Sequence, residues 1–256
     1  DNPDVLRYHR VTGVPDPLSG RAETLRVPRL FEAGERWEYG TSVDWLGLVV
    51  EKIGGADLDT HLRTHICEPL GMLDTTFDPS HAQRGRLMAI HDARAGQPLS
   101  LSSIGLAAEQ EFWSGGGGLY STAGDYLRFM RALLRGGELD GERVLRPETV
   151  ELAFTDHLQG APLPPDGTHS AVPELTNDVP APPFKQGFGL GFSLMLEDIP
   201  GMRRAGTGNW AGLCNSYFWI DHTSGIAATL MTQIVPFFDP GVVETLLGFE
   251  ASVYAT

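Results

Sequence analysis

Apolar residues follow helical spacing up to about His157, and strand-type patterning begins at Gly187. This order, helices first and strands afterwards, constrains the fold more than any other feature of the chain. It predicts an α+β architecture, with a mainly helical part over 1–158 and antiparallel strands plus a final helix over 187–256, the two packing as one folding unit. Between them, 159–186 carries seven prolines and no periodicity, so it reads as a long loop. Residues 1–36 are rich in turn formers and read as irregular. A helix is expected over Val43–Ile53, with Thr41 or Ser42 as its cap, an apolar stripe of Leu46, Val49, Val50 and Ile53, and Gly54-Gly55 as its stop. Further helices are expected from Asp57 to Cys67, after Thr122, from Pro147 to about His157, and over Gly241–Tyr254. Strands are expected over Gly187–Leu196, Asn215–Asp221 and Ile226–Gln233, with a hairpin turn at His222–Gly225.

Charge and length narrow the function classes. A net charge of −14 over 256 residues argues against a nucleic-acid partner, which needs clustered Lys and Arg, and disfavours docking on anionic membranes. No run approaches the ~18 apolar residues of a membrane-spanning helix. Cys67 and Cys214 are far apart and lack metal or redox spacing. The compartment is left open, with the cytoplasm as the default reading.

Other patterns that could carry chemistry lack a required part. His61 and His65 have the spacing of a helical zinc pair, but neither the intervening glutamate nor a third ligand follows. The run Gly115–Gly118 is not followed by Gly-Lys-Ser/Thr, so it is not a phosphate cradle. There is no Gly-x-Ser-x-Gly elbow. No metal and no cofactor are expected.

One segment stands out. Trp37-Glu38-Tyr39-Gly40-Thr41-Ser42 places a tyrosine just ahead of a helix, where a fixed backbone projects the phenol outward. A phenol with a pKa of about 10 becomes a general base when a lysine ammonium favours its phenolate. With Phe31-Glu32-Ala33-Gly34, Glu68-Pro69-Leu70-Gly71-Met72, the Gly116–Asp125 segment and Trp219-Ile220-Asp221, this segment resembles the serine β-lactamase and penicillin-binding-protein superfamily, in its class C-like esterase branch. The resemblance spans nearly the whole chain and implies a helical lobe on an antiparallel sheet with flanking helices.

It also implies site residues. Tyr39 takes the position of the catalytic tyrosine. Thr41 stands where the family has an amide that helps hold the substrate carbonyl, and offers a shorter arm with one donor. Trp210-Ala211-Gly212, just before a strand-like run, fits the Trp-x-Gly form of the third motif. Gly212 lets a ligand approach the backbone, and the Leu213 N–H becomes one oxyanion donor. Lys-Thr-Gly is absent, and with it the cation that would recognise a β-lactam carboxylate. Small neutral esters are therefore the implied substrates, cleaved through an acyl-enzyme. A β-lactamase, a D-amino-acid peptidase, a transacylase and a non-catalytic ligand-binding relative remain as alternatives.

The family's nucleophile is the serine of Ser-x-x-Lys. The only lysines are Lys52 and Lys185, and Val49 and Pro182 precede them by three. The chain therefore reads as the part C-terminal to that motif, with an N-terminal segment or second polypeptide expected to carry the serine. Alone it is expected to be inactive, with an unpaired strand edge and an open apolar groove beside Tyr39.

Overall fold

The computed structural model describes residues 3–105 and 109–255. Its helices are α1 (Pro3–Thr12), α2 (Ser42–Gly54), α3 (Leu58–Leu62), α4 (His81–Arg84), α5 (Ala123–Leu134), α6 (Pro147–Ala153) and α7 (Pro240–Tyr254). The short strands β1 (His91–Asp92) and β2 (Ser100–Leu101) form a small sheet with β10 (Ile234–Val235), and β3 (Glu138–Leu139) pairs with β4 (Glu142–Arg143). The main sheet is antiparallel, in the order β5 (Gln186–Phe188), β6 (Ser193–Met195), β7 (Gly208–Gly212), β8 (Ser216–Asp221) and β9 (Ile226–Leu230). The fold is α+β, as the order of the patterns predicts.

β8 is central to the packing because both of its faces are covered. The period of two sends Phe218 and Ile220 to one side and Tyr217 and Trp219 to the other. Ile220 joins Met130, Leu133, Val150, Phe192 and Leu194 in a core beneath α5 and α6. Trp219 packs edge-on against Phe249 of α7 on the opposite face, at 5.6 Å between ring centroids. A second core joins Cys67, Leu70 and Met72 to Ala132 of α5 and Leu139 of β3, fixing the Glu68–Met72 segment on the helical side. Each long helix has its stop or start where the residues require it. Thr122 caps α5 through the Asp125 N–H, Asp239 caps α7 through Gly241 and Val242, and Gly55 ends α2 at a positive φ.

Several local expectations need correction. Residues 1–36 are not wholly irregular, since Pro3 opens helix α1. Thr41 sits at the N-cap of α2 but makes no side-chain cap bond. The Asp57 helix stops at Leu62 and passes into a π-helical turn, Arg63–Cys67, that drops Cys67 into the core. α6 ends at Ala153, because Phe154 leaves the helix to stack on Phe192 at 4.8 Å. Gly187–Leu196 is two strands, reversed around Gly189 and Gly191. A Cβ on Gly189 would come within 2.1 Å of the Ala153 carbonyl oxygen, so the turn needs glycine there. β9 stops at Leu230, short of Gln233.

The stripe on α2 is a larger departure. Leu46, Val49 and Ile53 are apolar at helical spacing, yet they face solvent, Ile53 with 82% of its surface exposed. Among the described residues, β9 has a strand neighbour on one side only. No helix of the described residues is long and apolar enough to cross a membrane.

Candidate active site

Tyr39 and the Trp210 segment are 171 positions apart in the chain (210 − 39) and meet in space. The Tyr39 ring stacks on Trp210, with centroids 6.0 Å apart and planes inclined by 23°. Trp210 is not ahead of a strand, as expected, but within β7, paired with Phe218 of β8. Trp37 and Phe188 complete an aromatic cluster. Phe188 lies 5.4 Å from Trp210 and 4.9 Å from Trp37, both between centroids. Rings in such tilted and edge-on arrangements gain about 0.5–1.5 kcal/mol per pair beyond burial. The Trp37 N–H also donates to the Pro162 carbonyl at 3.1 Å, so the proline-rich loop buttresses the Tyr39 segment.

From the other side, α2 is pinned by its own first turn. Asp44 Oδ1 accepts from the Ser114 hydroxyl at 2.5 Å and from the Gly116 N–H at 3.0 Å. The glycine run is thereby held against the helix that Tyr39 precedes. A Cβ on Gly115 would lie 2.3 Å from the Val43 carbonyl oxygen, so only glycine fits this crossing.

Tyr39 is 63% exposed. Desolvation by the surrounding chain, and then the negative charge of Asp44, push its phenol above the ordinary range. In this environment the hydroxyl is a proton donor at neutral pH. It would become a base only with a cation beside it.

Gly212 ends β7 at the surface, and a Cβ built on it would meet only Ser216, at 4.0 Å. The backbone there is open to an incoming group. Leu213 and Ala211 are part-buried on either side. No hydrogen bond from the Leu213 N–H is found among the described residues. Thr41 is part-buried at the head of α2. The structure thus brings Tyr39, Trp210 and the Gly212 strand end to one region. Motif reasoning on its own missed Trp37, Phe188 and Asp44. Trp37 lies within the segment that pointed to Tyr39, and Asp44 two residues beyond it in α2. Phe188 was assigned only to a strand, and nothing local marked it as a neighbour of Trp210.

His61 and His65 stack with centroids 4.6 Å apart. No group of three metal-ligating side chains occurs among the described residues.

Residues 9–251 match the Beta-lactamase family. The chain belongs to that family. It is 31% identical over 244 residues to monacolin J acid methylbutanoyltransferase of Aspergillus terreus, covering 92% of this chain and 58% of that enzyme. It is 31% identical over 228 residues to lovastatin esterase of Penicillium rubens, covering 83% of this chain and 54% of that one. Unliganded simvastatin synthase from Aspergillus terreus superposes with a TM-score of 0.75 at 26% identity, over 98% of this chain and 60% of that structure. The chain therefore spans a little over half the length of the curated relatives it matches, and these family members are acyltransferases and esterases.

Proposed function

We propose that this chain forms the tyrosine and oxyanion half of a serine acyl-transferring enzyme of the β-lactamase-like esterase type. The observation that carries the reading is the stacking of Tyr39 on Trp210, two residues before the Gly212 end of β7. The nucleophile, a serine in Ser-x-x-Lys, lies on a polypeptide segment outside these 256 residues. Support comes from two uncovered surfaces, the apolar stripe of α2 that follows Tyr39 and the outer edge of β9. A bare apolar stripe is uncommon on a soluble monomer, and an unpaired strand edge invites pairing.

The chemistry proceeds in two balanced stages. The serine Oγ attacks the ester carbonyl and its proton passes to the Tyr39–lysine system. The Leu213 N–H and the serine N–H hold the oxyanion. The C–O bond to the alcohol then breaks, and the alcohol leaves with the proton held by Tyr39. Water or a second alcohol attacks the acyl-serine and gives up its proton to Tyr39, which returns it to the serine. Small neutral acyl esters suit the site, because no Lys-Thr-Gly cation faces it and aromatic rings line it. The relatives include both transferases and an esterase, so hydrolysis and acyl transfer use the same residues and differ only in the acceptor.

The test uses the natural polypeptide bearing Ser-x-x-Lys and this chain side by side. The former is expected to label with a fluorophosphonate probe and to cleave p-nitrophenyl butyrate faster than nitrocefin, and the latter to do neither. Tyr39→Phe in the former is expected to lower kcat by about 10²–10⁴-fold. Near-full activity in that variant, or probe labelling of the 256-residue chain alone, defeats the proposal.

A further inference from the structure

The turn that carries the Leu213 N–H is held by one fully buried amide. Asn215 lies between β7 and β8 with 0% of its surface exposed and a φ of +57°. That left-handed conformation strains most side chains and is tolerated by Asn and Gly. The Asn215 N–H closes the turn onto the Gly212 carbonyl at 3.0 Å. Its side chain uses all four hydrogen-bonding positions. Nδ2 donates to the carbonyls of Ile234 (2.9 Å) and Pro236 (2.8 Å), while Oδ1 accepts from the Tyr217 hydroxyl (2.8 Å) and the Asp239 N–H (3.1 Å). The backbone around it is bonded the same way. The Thr232 hydroxyl donates to the carbonyls of Cys214 (2.7 Å) and Asn215 (3.1 Å).

Apart from the turn-closing bond to Gly212 and the bond from Tyr217, these bonds run from the turn to the segment 232–239, which enters α7 through its cap Asp239. Turns joining strands are ordinarily among the more mobile parts of a fold. A donor that stabilises a transient oxyanion has to be held within about 0.5 Å of its working position. Leu213 lies outside both strands, and no ladder bond from its N–H secures it among the described residues. The amide does so instead.

We infer that Asn215 is a positioning residue that fixes the Leu213 N–H by tying the β7–β8 turn to the β10–α7 connection. The inference rests on the proposed function only for what the fixed N–H is used for.

The experiment reads Leu213 directly, by ¹⁵N relaxation on the labelled 256-residue chain. Asn215→Gly keeps the left-handed backbone and removes the four side-chain bonds. Thr232→Val keeps shape and removes the two hydroxyl bonds, and serves where Asn215→Gly does not fold. The Leu213 order parameter is expected near about 0.85 in the parent and below about 0.6 in the variant, with Trp219 and Ile220 unchanged. A role confined to stability would lower the melting temperature and leave Leu213 as ordered as Ile220. Leu213 remaining rigid in whichever variants fold overturns the inference, whatever happens to activity. In the natural polypeptide bearing Ser-x-x-Lys, the same substitution is expected to lower kcat for p-nitrophenyl butyrate at least tenfold (about 1.4 kcal/mol), with KM little changed. A loosened Leu213 with kcat unaltered upholds the positioning role and overturns Leu213 as oxyanion donor.

Discussion

Two regions of the molecule are built from similar apolar residues and treated oppositely by the fold. In the α5–β8 region, Met130 and Ile220 are fully buried between helix and sheet. On α2, Leu46 and Ile53 are as apolar and as regularly spaced, yet stand 57% and 82% exposed. Periodicity reports that a helix has an apolar side. It does not report whether this chain supplies the cover. The exposed side belongs to the helix that Tyr39 leads into, which is where the proposed nucleophile segment would dock.

The sharpest way to break this contrast is truncation on each side. Met130→Ala is expected to cost about 2–5 kcal/mol, because it opens a cavity in a closed core. Leu46→Ser on the bare stripe is expected to stay within about 0.5 kcal/mol in this chain. Urea denaturation measures both. A comparable loss at Leu46 would mean that the stripe is already covered, and the docking proposal would fail with it.

What could be read from the sequence follows the same division. α2, α5 and α7 were legible from an apolar period joined to a terminal signal: the Gly55 stop of α2, the Thr122 cap of α5 and the Asp239 cap of α7. β8 was legible because Phe218–Ile220 is dense in aromatic and β-branched residues, and β9 because Ile226–Leu230 follows the hairpin turn at His222–Gly225. β7 was not, since Gly208 and Gly212 dilute that signature and its pairing is decided by its neighbours. The two-residue strand β1 was beyond reach, for His91 pairs in parallel with Ile234, a contact no local pattern encodes. Of the site, Tyr39 and Trp210 were visible through motif resemblance. Phe188 joins them only once the sheet folds β5 and β7 together.

The glycine loop offers a second, smaller test. Gly115→Ala is expected to cost about 1–3 kcal/mol, because its Cβ would push the loop off the Val43 carbonyl. Gly40→Ala, where an added Cβ meets nothing within 4 Å, is expected to be nearly neutral. Thermal melts of the two variants compare them, and equal losses would show that the loop is not clamped to α2.

Asp44→Asn follows. It keeps an oxygen for Ser114 and Gly116 but removes a charge, so the expected cost is about 1 kcal/mol. The same change removes one of the causes that raise the Tyr39 phenol, so its pKa is expected to fall toward the ordinary value. Titration of the Tyr39 ring carbon by NMR reads this. A rise, or no change, would show that Asp44 does not act on the phenol through its charge.

The smallest effect concerns α3, which packs against α2 beside Gly47 and Gly54. Asp57 caps α3, accepting from the Thr60 N–H at 2.9 Å, and this bond together with that to the Thr60 hydroxyl holds its carboxyl below the usual range. A carboxylate depressed by folding stabilises the fold above its unfolded pKa of about 3.9, and that contribution is lost as pH falls through the lower folded value. Asn caps about as well as Asp and does not titrate in this window. Asp57 is exposed, so solvent screening keeps the charge-dependent part small. The parent is therefore expected to hold a slight advantage over Asp57→Asn at pH 6 and to lose it progressively as pH falls below about 4. Paired denaturation curves across that range test it. An advantage that persisted at pH 2 would mean that Asp57 acts through packing and not through its charge.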